Sequence, residues 1–283
     1  QKGQFPSQVD QENWYRQVLE SYHPAPVVMR TLDIGGDKVL DYFDITEDNP
    51  FLGWRGIRVT LDHPELFLDQ LKAMIKANMG LGNLKIMLPM ISGTEEVDES
   101  LALLSQAYFE LEEQHPDKVI ERPEVGVMLE VPSSVFMLPE WSKKVDFCSV
   151  GSNDLTQYLL AVDRSNARVA DLFNPYHPGV LRVLQKVAQE CHHYDLSLSL
   201  CGELGGDPEG AILLIAMGYR QLSMNHFSIS KVKWVLRRLK MSDMEVLLAE
   251  CLAQSTAKQV LRLTRNFMIE HKLGKLFYTP SHG

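Results

Sequence analysis

The chain is poor in cysteine, and none of its cysteines is placed to hold a metal or to staple the fold. Cys148, Cys191, Cys201 and Cys251 contain no C-x-x-C pair, so neither a zinc site nor a disulfide framework is suggested. Such usage fits a reducing cytoplasm. Long apolar runs are also missing: no stretch approaches the ~20 residues of a membrane span, and no signal sequence opens the chain. Positive charge is in deficit. The 28 Lys and Arg stand against 37 Asp and Glu, a formal net charge of -9. That balance argues against a general nucleic-acid binder, although a local cluster of Arg can still receive an anionic small molecule. Internal repeats and low-complexity linkers are lacking too. What is present is a hydrophobic fraction of 45% over 283 residues, enough core for one large domain or two small ones. The chain opens at Gln1 and reads as a piece of a longer protein, cut at a domain boundary, with residues 1–25 a helical lead-in from an upstream domain.

Strand-like runs alternate with helix-like ones. Short apolar runs at 27–33, 85–90, 125–131, 147–151, 196–201 and 221–224 read as buried parallel strands. Residues 57–61 offer a seventh, and an eighth is not obvious. Between them lie amphipathic segments. Residues 64–79 put Phe67, Leu71, Met74 and Ile75 on one face, with Asp62 as cap and Gly80 as stop. Residues 95–114 carry Val97, Leu101, Leu104, Tyr108 and Leu111, residues 178–194 carry Leu181, Leu184, Val187 and Cys191, and 207–217 is a shorter helix. This repeated alternation predicts an α/β fold. Its length suits a (β/α)8 TIM-type barrel over 26–283, with 228–272 as extra C-terminal helices. A doubly wound open sheet is the alternative.

The strand ends share a chemical character. The run 145–158 stops being apolar at Gly151, and Asn153 and Asp154 follow at once. Polar groups just past a parallel strand stand where such folds keep their chemistry. Asp154 is either a hard oxygen ligand or the cap of the next helix. After 27–33 come Gly35 and Gly36, which let backbone N–H groups approach a ligand, with Arg30, Asp33 and Lys38 around the turn. Arg30 lies in an apolar strand, where a charge needs a partner. Arg55 and Arg58 follow in 49–58, and guanidinium forks suit phosphate or carboxylate. Glu130 ends another apolar strand and needs a metal, an Arg or a proton. With Asp154 it makes a pair of carboxylates on successive strands, which together with phosphate oxygens and water matches the way Mg2+ is held. Cys201 ends a further strand before Gly202, Glu203, Gly205 and Gly206. It is either a small core residue or an acid, base or nucleophile. Cys148 and Cys191 read as core. The neighbouring His192 and His193 cannot face one metal from a helix and read as surface residues. Cations and carboxylates converging at strand ends suit a phosphorylated, Mg2+-bound substrate and phosphoryl transfer or an aldolase-type reaction.

Five segments, taken in order, are similar to a known family: 30–38 (RTLDIGGDK), 49–55 (NPFLGWR), 86–91 (IMLPMI), 151–157 (GSNDLTQ) and 201–203 (CGE). They resemble the C-terminal phosphoenolpyruvate-binding domain of Enzyme I of the phosphotransferase system, over about 26–239. Pyruvate phosphate dikinase and phosphoenolpyruvate synthase share the Asn153-Asp154 motif and the barrel. The runs 51–55 and 222–224 are more similar to Enzyme I, with a lean towards its nitrogen-related branch. The resemblance implies a barrel that dimerises through this domain. It implies that Arg30 and Arg55 hold the substrate phosphate, that Glu130 and Asp154 bind Mg2+, that Asn153 and Arg164 contact substrate, and that Cys201 protonates the enolate carbon.

Two departures stand out. Lys85 takes a substrate-binding position where the family has Arg, which replaces a fork by a point charge. No phosphate-accepting motif surrounds any of the nine histidines. The resemblance therefore implies that phosphate goes to a histidine on a separate N-terminal domain and then to a histidine phosphocarrier protein. The chain alone is expected to bind phosphoenolpyruvate without completing transfer. Two other readings are a phosphoenolpyruvate-sensing dimerisation module without turnover and a fragment of a dikinase or synthase.

Overall fold

A computed structural model describes residues 5–35 and 47–274. The expected contributions of Gly36 and Lys38 to the first turn lie outside the described residues. The chain divides into two compact units, Gln1–Phe147 and Cys148–Gly283.

In the first unit, helix α1 (Gln8–Tyr22) leads into strand β1 (Val27–Arg30). Next come α2 (Ile57–Asp62), α3 (Pro64–Asn78), β2 (Leu84–Leu88), α4 (Thr94–Gln114), β3 (Glu124–Leu129) and the short α5 (Leu138–Trp141). Strands β1, β2 and β3 pair in chain order and in parallel, with Arg30 opposite Met87 and Met87 opposite Gly126. The stripe Phe67, Leu71, Met74 and Ile75 of α3 is buried, as its spacing requires. Each such side chain contributes about 1.5–3 kcal/mol by leaving water. Helix α1 packs on α3, and its Arg16 guanidinium donates to Ala77 O and Met79 O at 3.3 and 2.7 Å. A cation on these last carbonyls satisfies groups that the helix end leaves unpaired.

Two expectations fail here. Residues 57–61 form a helix, not a seventh strand. Their β-branched run is overruled locally: Gly56 turns at φ 58, and the Thr60 hydroxyl donates to Ile57 O at 3.0 Å inside the helical turn. Asp62 does not cap α3. His63 holds the cap position, and the Asp62 carboxylate accepts the Trp54 indole N–H at 2.6 Å instead.

In the second unit, strand β4 (Phe147–Gly151), of which all but the first residue belongs to this unit, runs directly into α6 (Ser152–Leu160). Then come α7 (Pro178–His193), β5 (Ser197–Cys201), α8 (Glu203–Gly206), α9 (Pro208–Met217), β6 (Gln221–Leu222), α10 (His226–Leu236), α11 (Met241–Leu252) and α12 (Ala257–Glu270). Strands β4, β5 and β6 also follow chain order. Leu181, Leu184, Val187 and Cys191 are buried on α7, and α9, apolar on nearly every side, is enclosed by α7, α10, α11 and α12. His192 and His193 are exposed, as expected.

The fold is thus α/β, with six strands among the described residues. A doubly wound sheet reverses its strand order at a switch point. Neither unit shows a reversal, and this chain-order pairing is that of a (β/α) barrel. Within each unit, parallel pairing brings the C-terminal ends of the strands to one edge.

Candidate active site

The first unit assembles its charged groups at that edge. Arg30 is the last residue of β1, and Asp33 stands one short loop further on. The Arg30 guanidinium lies 3.3 Å from Asp33 Oδ2 and 3.9 Å from Met128 Sδ on β3. Arg55 reaches the same carboxylate from the loop before α2, with Nε 3.3 Å from Oδ1 and Nη2 3.4 Å from Oδ2. This is a forked pair, the geometry that a planar guanidinium favours. The Phe51 ring centroid is 6.0 Å from Arg55 Cζ. Asp33 and Arg55 are buried, at 1% side-chain exposure each, whereas Arg30 keeps 34%. The partner that a strand-borne Arg30 needs is therefore Asp33, and part of the Arg30 side chain still meets solvent.

Close packing in these loops depends on glycine. At Gly56 (φ 58) a Cβ would stand 2.9 Å from Met90 Cγ and 3.1 Å from Asp33 Oδ1. Met90, just beyond β2, itself has φ 56, and its N–H donates to Glu130 Oε1 at 2.7 Å. Glu130 follows β3 directly and is 1% exposed. The loops after three successive strands are thus tied together around Asp33 and Glu130.

Lys85 does not join this cluster. It sits near the start of β2, at the opposite end from Met90. There it forms an ion pair with Glu124 and lies 5.7 Å from the Phe147 ring centroid. Arg58 is likewise turned away, donating to Leu52 O and Gly53 O.

The second unit gathers its polar groups where β4 and β5 end. Gly151 is the cap residue of α6, and no side chain caps the helix. Asp154 is therefore not its cap. It lies buried in the first turn, where a negative charge complements the helix dipole. Asn153 Oδ1 accepts the Glu203 N–H at 3.3 Å, and the Ser152 hydroxyl donates to Cys201 O at 3.0 Å. Cys201 is partly exposed, and its Sγ lies 3.5 Å from Val150 O. Gly202 (φ +117) allows this closeness, since a Cβ there would meet Ser152 Oγ at 2.2 Å. A cavity of about 620 Å3 opens beside Asn153, Gly202, Asp207, Ser223 and Lys231.

The other thiols are set apart chemically as well as spatially. The neighbouring Cys191 thiol and burial push Cys148 well above its usual range, and burial pushes Cys251 up to about 12. Both remain protonated core groups.

One residue escaped the sequence reading. Gln157 lies on α6 one turn beyond Asp154. Its Oε1 accepts the Arg164 N–H at 3.1 Å, which draws the Arg164 loop onto the helix. Its buried Nε2 has no hydrogen-bond partner. A buried amide donor without an acceptor costs about 1–3 kcal/mol, and this one lies beside the segment that carries Asn153 and Asp154. The i, i+3 spacing from Asp154 was the available signal.

Among the described residues, no three His, Cys, Asp or Glu side chains form a ready metal cage. Glu130 and Asp154 are nonetheless buried hard-oxygen donors at strand ends, the donor type of Mg2+ sites that substrate oxygens and water complete.

The family described as PEP-utilising enzyme, PEP-binding domain, matches residues 1–241. A protein of Salmonella typhimurium named phosphoenolpyruvate-dependent phosphotransferase system is 48% identical over 272 residues, 96% of this chain and 36% of its own length. The Escherichia coli protein of the same name matches with the same identity and coverage. A phosphoenolpyruvate-protein phosphotransferase of Haemophilus influenzae is 40% identical over 95% of this chain and 47% of its own length. The chain thus spans between a third and a half of these relatives. Among solved structures, a citrate lyase of Burkholderia xenovorans LB400 is 18% identical, covers 75% of this chain and 70% of its own, and has a TM-score of 0.47. That likeness is too loose to inform the site.

Proposed function

Because the chain belongs to the family of PEP-binding domains of PEP-utilising enzymes, we propose that it is the phosphoenolpyruvate-cleaving half of an Enzyme I-type phosphoenolpyruvate-protein phosphotransferase. The observation that carries this reading is the family match itself, which runs through every strand-end residue described above. The phosphate acceptor is a histidine on a separate N-terminal domain, and a histidine phosphocarrier protein receives the group in turn. The working form is a cytoplasmic homodimer.

In this reading Arg30, the more exposed of the two cations, binds the phosphate, and Arg55 is the buried cation behind it. Asp33 fixes both guanidinium groups before substrate arrives, so little ordering remains to be done on binding. Asn153 and Arg164 hold the enolpyruvate portion, and Gln157 positions the Arg164 loop. Glu130 and Asp154 are the Mg2+ ligands. When bound, Mg2+ neutralises charge on the transferring group and the enolate oxygen. The bond from phosphorus to the enol oxygen breaks as one from phosphorus to the acceptor nitrogen forms. Cys201 then gives its proton to the enolate carbon, leaving pyruvate and a cysteine thiolate that solvent reprotonates. Lys85, paired with Glu124 at the far end of its strand, has no role here.

Calorimetric titration of phosphoenolpyruvate into the chain tests this. Saturable, Mg2+-dependent heat is expected, together with at least a tenfold weaker affinity in Arg30→Ala. No heat in the presence of Mg2+ at moderate salt would sink the reading.

A further inference from the structure

Helix α12 carries Lys258, Arg262 and Arg265 at i, i+4 and i+7, a spacing that sets all three on one face. They line a cavity of about 660 Å3 in the second unit, together with the amides of Asn174 and Asn266 and the apolar Ile269, which is 60% exposed. Neither Lys258 nor Arg262 forms an ion pair among the described residues. Arg265 has only a 3.9 Å approach to Glu209 Oε1 and keeps 63% of its side chain exposed. Like charges one helical turn apart repel each other. The lining of this cavity, with three cations and no acid, is opposite in sign to the net charge of -9 on the chain as a whole.

We propose that this cavity is a binding site for a small anion bearing a polyphosphate group, separate from the strand-end site. Two guanidinium forks match phosphate oxygens in pairs, and Lys258 adds a point charge. The two amides offer further donors. Ile269 supplies an apolar patch for the body of the ligand. The cavity lies within the size range of small-molecule sites and far exceeds the needs of a single phosphate.

The probes are inorganic tripolyphosphate and ATP, each titrated without Mg2+ into the 283-residue chain at about 150 mM salt, where exposed charges are well screened. Both are expected to bind, and Arg30→Ala should bind each as tightly as the parent. The double variant Lys258→Gln/Arg262→Gln should bind at least about tenfold more weakly with an unchanged melting temperature. Lys118→Gln, an exposed cation of the first unit, should bind like the parent. Absence of heat with tripolyphosphate, or equal weakening by Arg30→Ala or by Lys118→Gln, would overturn the proposal.

Discussion

Asp33 is the residue on which the cationic side of the site depends. A single buried carboxylate pairs with two guanidinium groups, one from the end of β1 and one from the loop before α2. Replacing it by the isosteric amide leaves Arg55 a buried cation without its forked partner, and breaking a buried pair in this way costs about 3–5 kcal/mol. Asp33→Asn should therefore lower stability by that order in urea unfolding, and it should weaken phosphoenolpyruvate binding as well. A change below about 0.5 kcal/mol, the range of ordinary surface substitutions, would show that other partners hold Arg55. Part of this was legible in the sequence, because a charge inside an apolar strand announces that a partner must exist. Lys85 was misplaced for the converse reason. It belongs to a strand whose far end adjoins the charged cluster, and only its distance along the strand separates it from that end. Gln157 was overlooked because its i, i+3 spacing from Asp154 is a weak signal, and its orphaned donor shows only in the fold.

At the scale of elements, the apolar stripes of α3 and α7 and the wholly buried β4 were readable because burial dictates their residue types at a fixed period. The segment Ile57–Asp62 was not. Its β-branched residues favour a strand locally, while the turn at Gly56 and the tertiary setting impose a helix. Nor could sequence reveal the contact of α9 with α12. The Thr264 hydroxyl donates to Glu209, whose carboxyl is held above the usual carboxylate range chiefly by burial. A carboxyl with a raised folded-state pKa holds its proton more tightly in the folded than in the unfolded chain. Its stabilising contribution is therefore complete below the ordinary carboxylate range and is lost as pH rises through the raised value. Glu209→Gln removes this dependence, and a glutamine oxygen can still accept from Thr264. The melting temperature of the variant should gain on that of the parent as pH rises from 4 towards 7. A difference that is constant with pH would mean that Glu209 does not titrate abnormally.

For the whole molecule, strand order decided between two architectures that composition and length left open, because only pairing distinguishes a barrel from a doubly wound sheet. The proposed function was legible to the extent that chemistry-bearing residues recur at strand ends. The proposed acceptor was not, since no histidine in this sequence has the motif for it. The central claim concerns turnover, and one measurement reaches it most directly. The chain is mixed with a phosphohistidine domain of an Enzyme I-type relative, phosphoenolpyruvate and Mg2+, and pyruvate is followed against phosphohistidine. The account predicts that the two form in equal amounts. It also predicts that Cys201→Ala binds phosphoenolpyruvate normally but forms pyruvate at least about a hundredfold more slowly, the usual scale of a lost proton donor. Phosphoenolpyruvate bound by the parent chain with no pyruvate formed would contradict it and mark the chain as a sensing module.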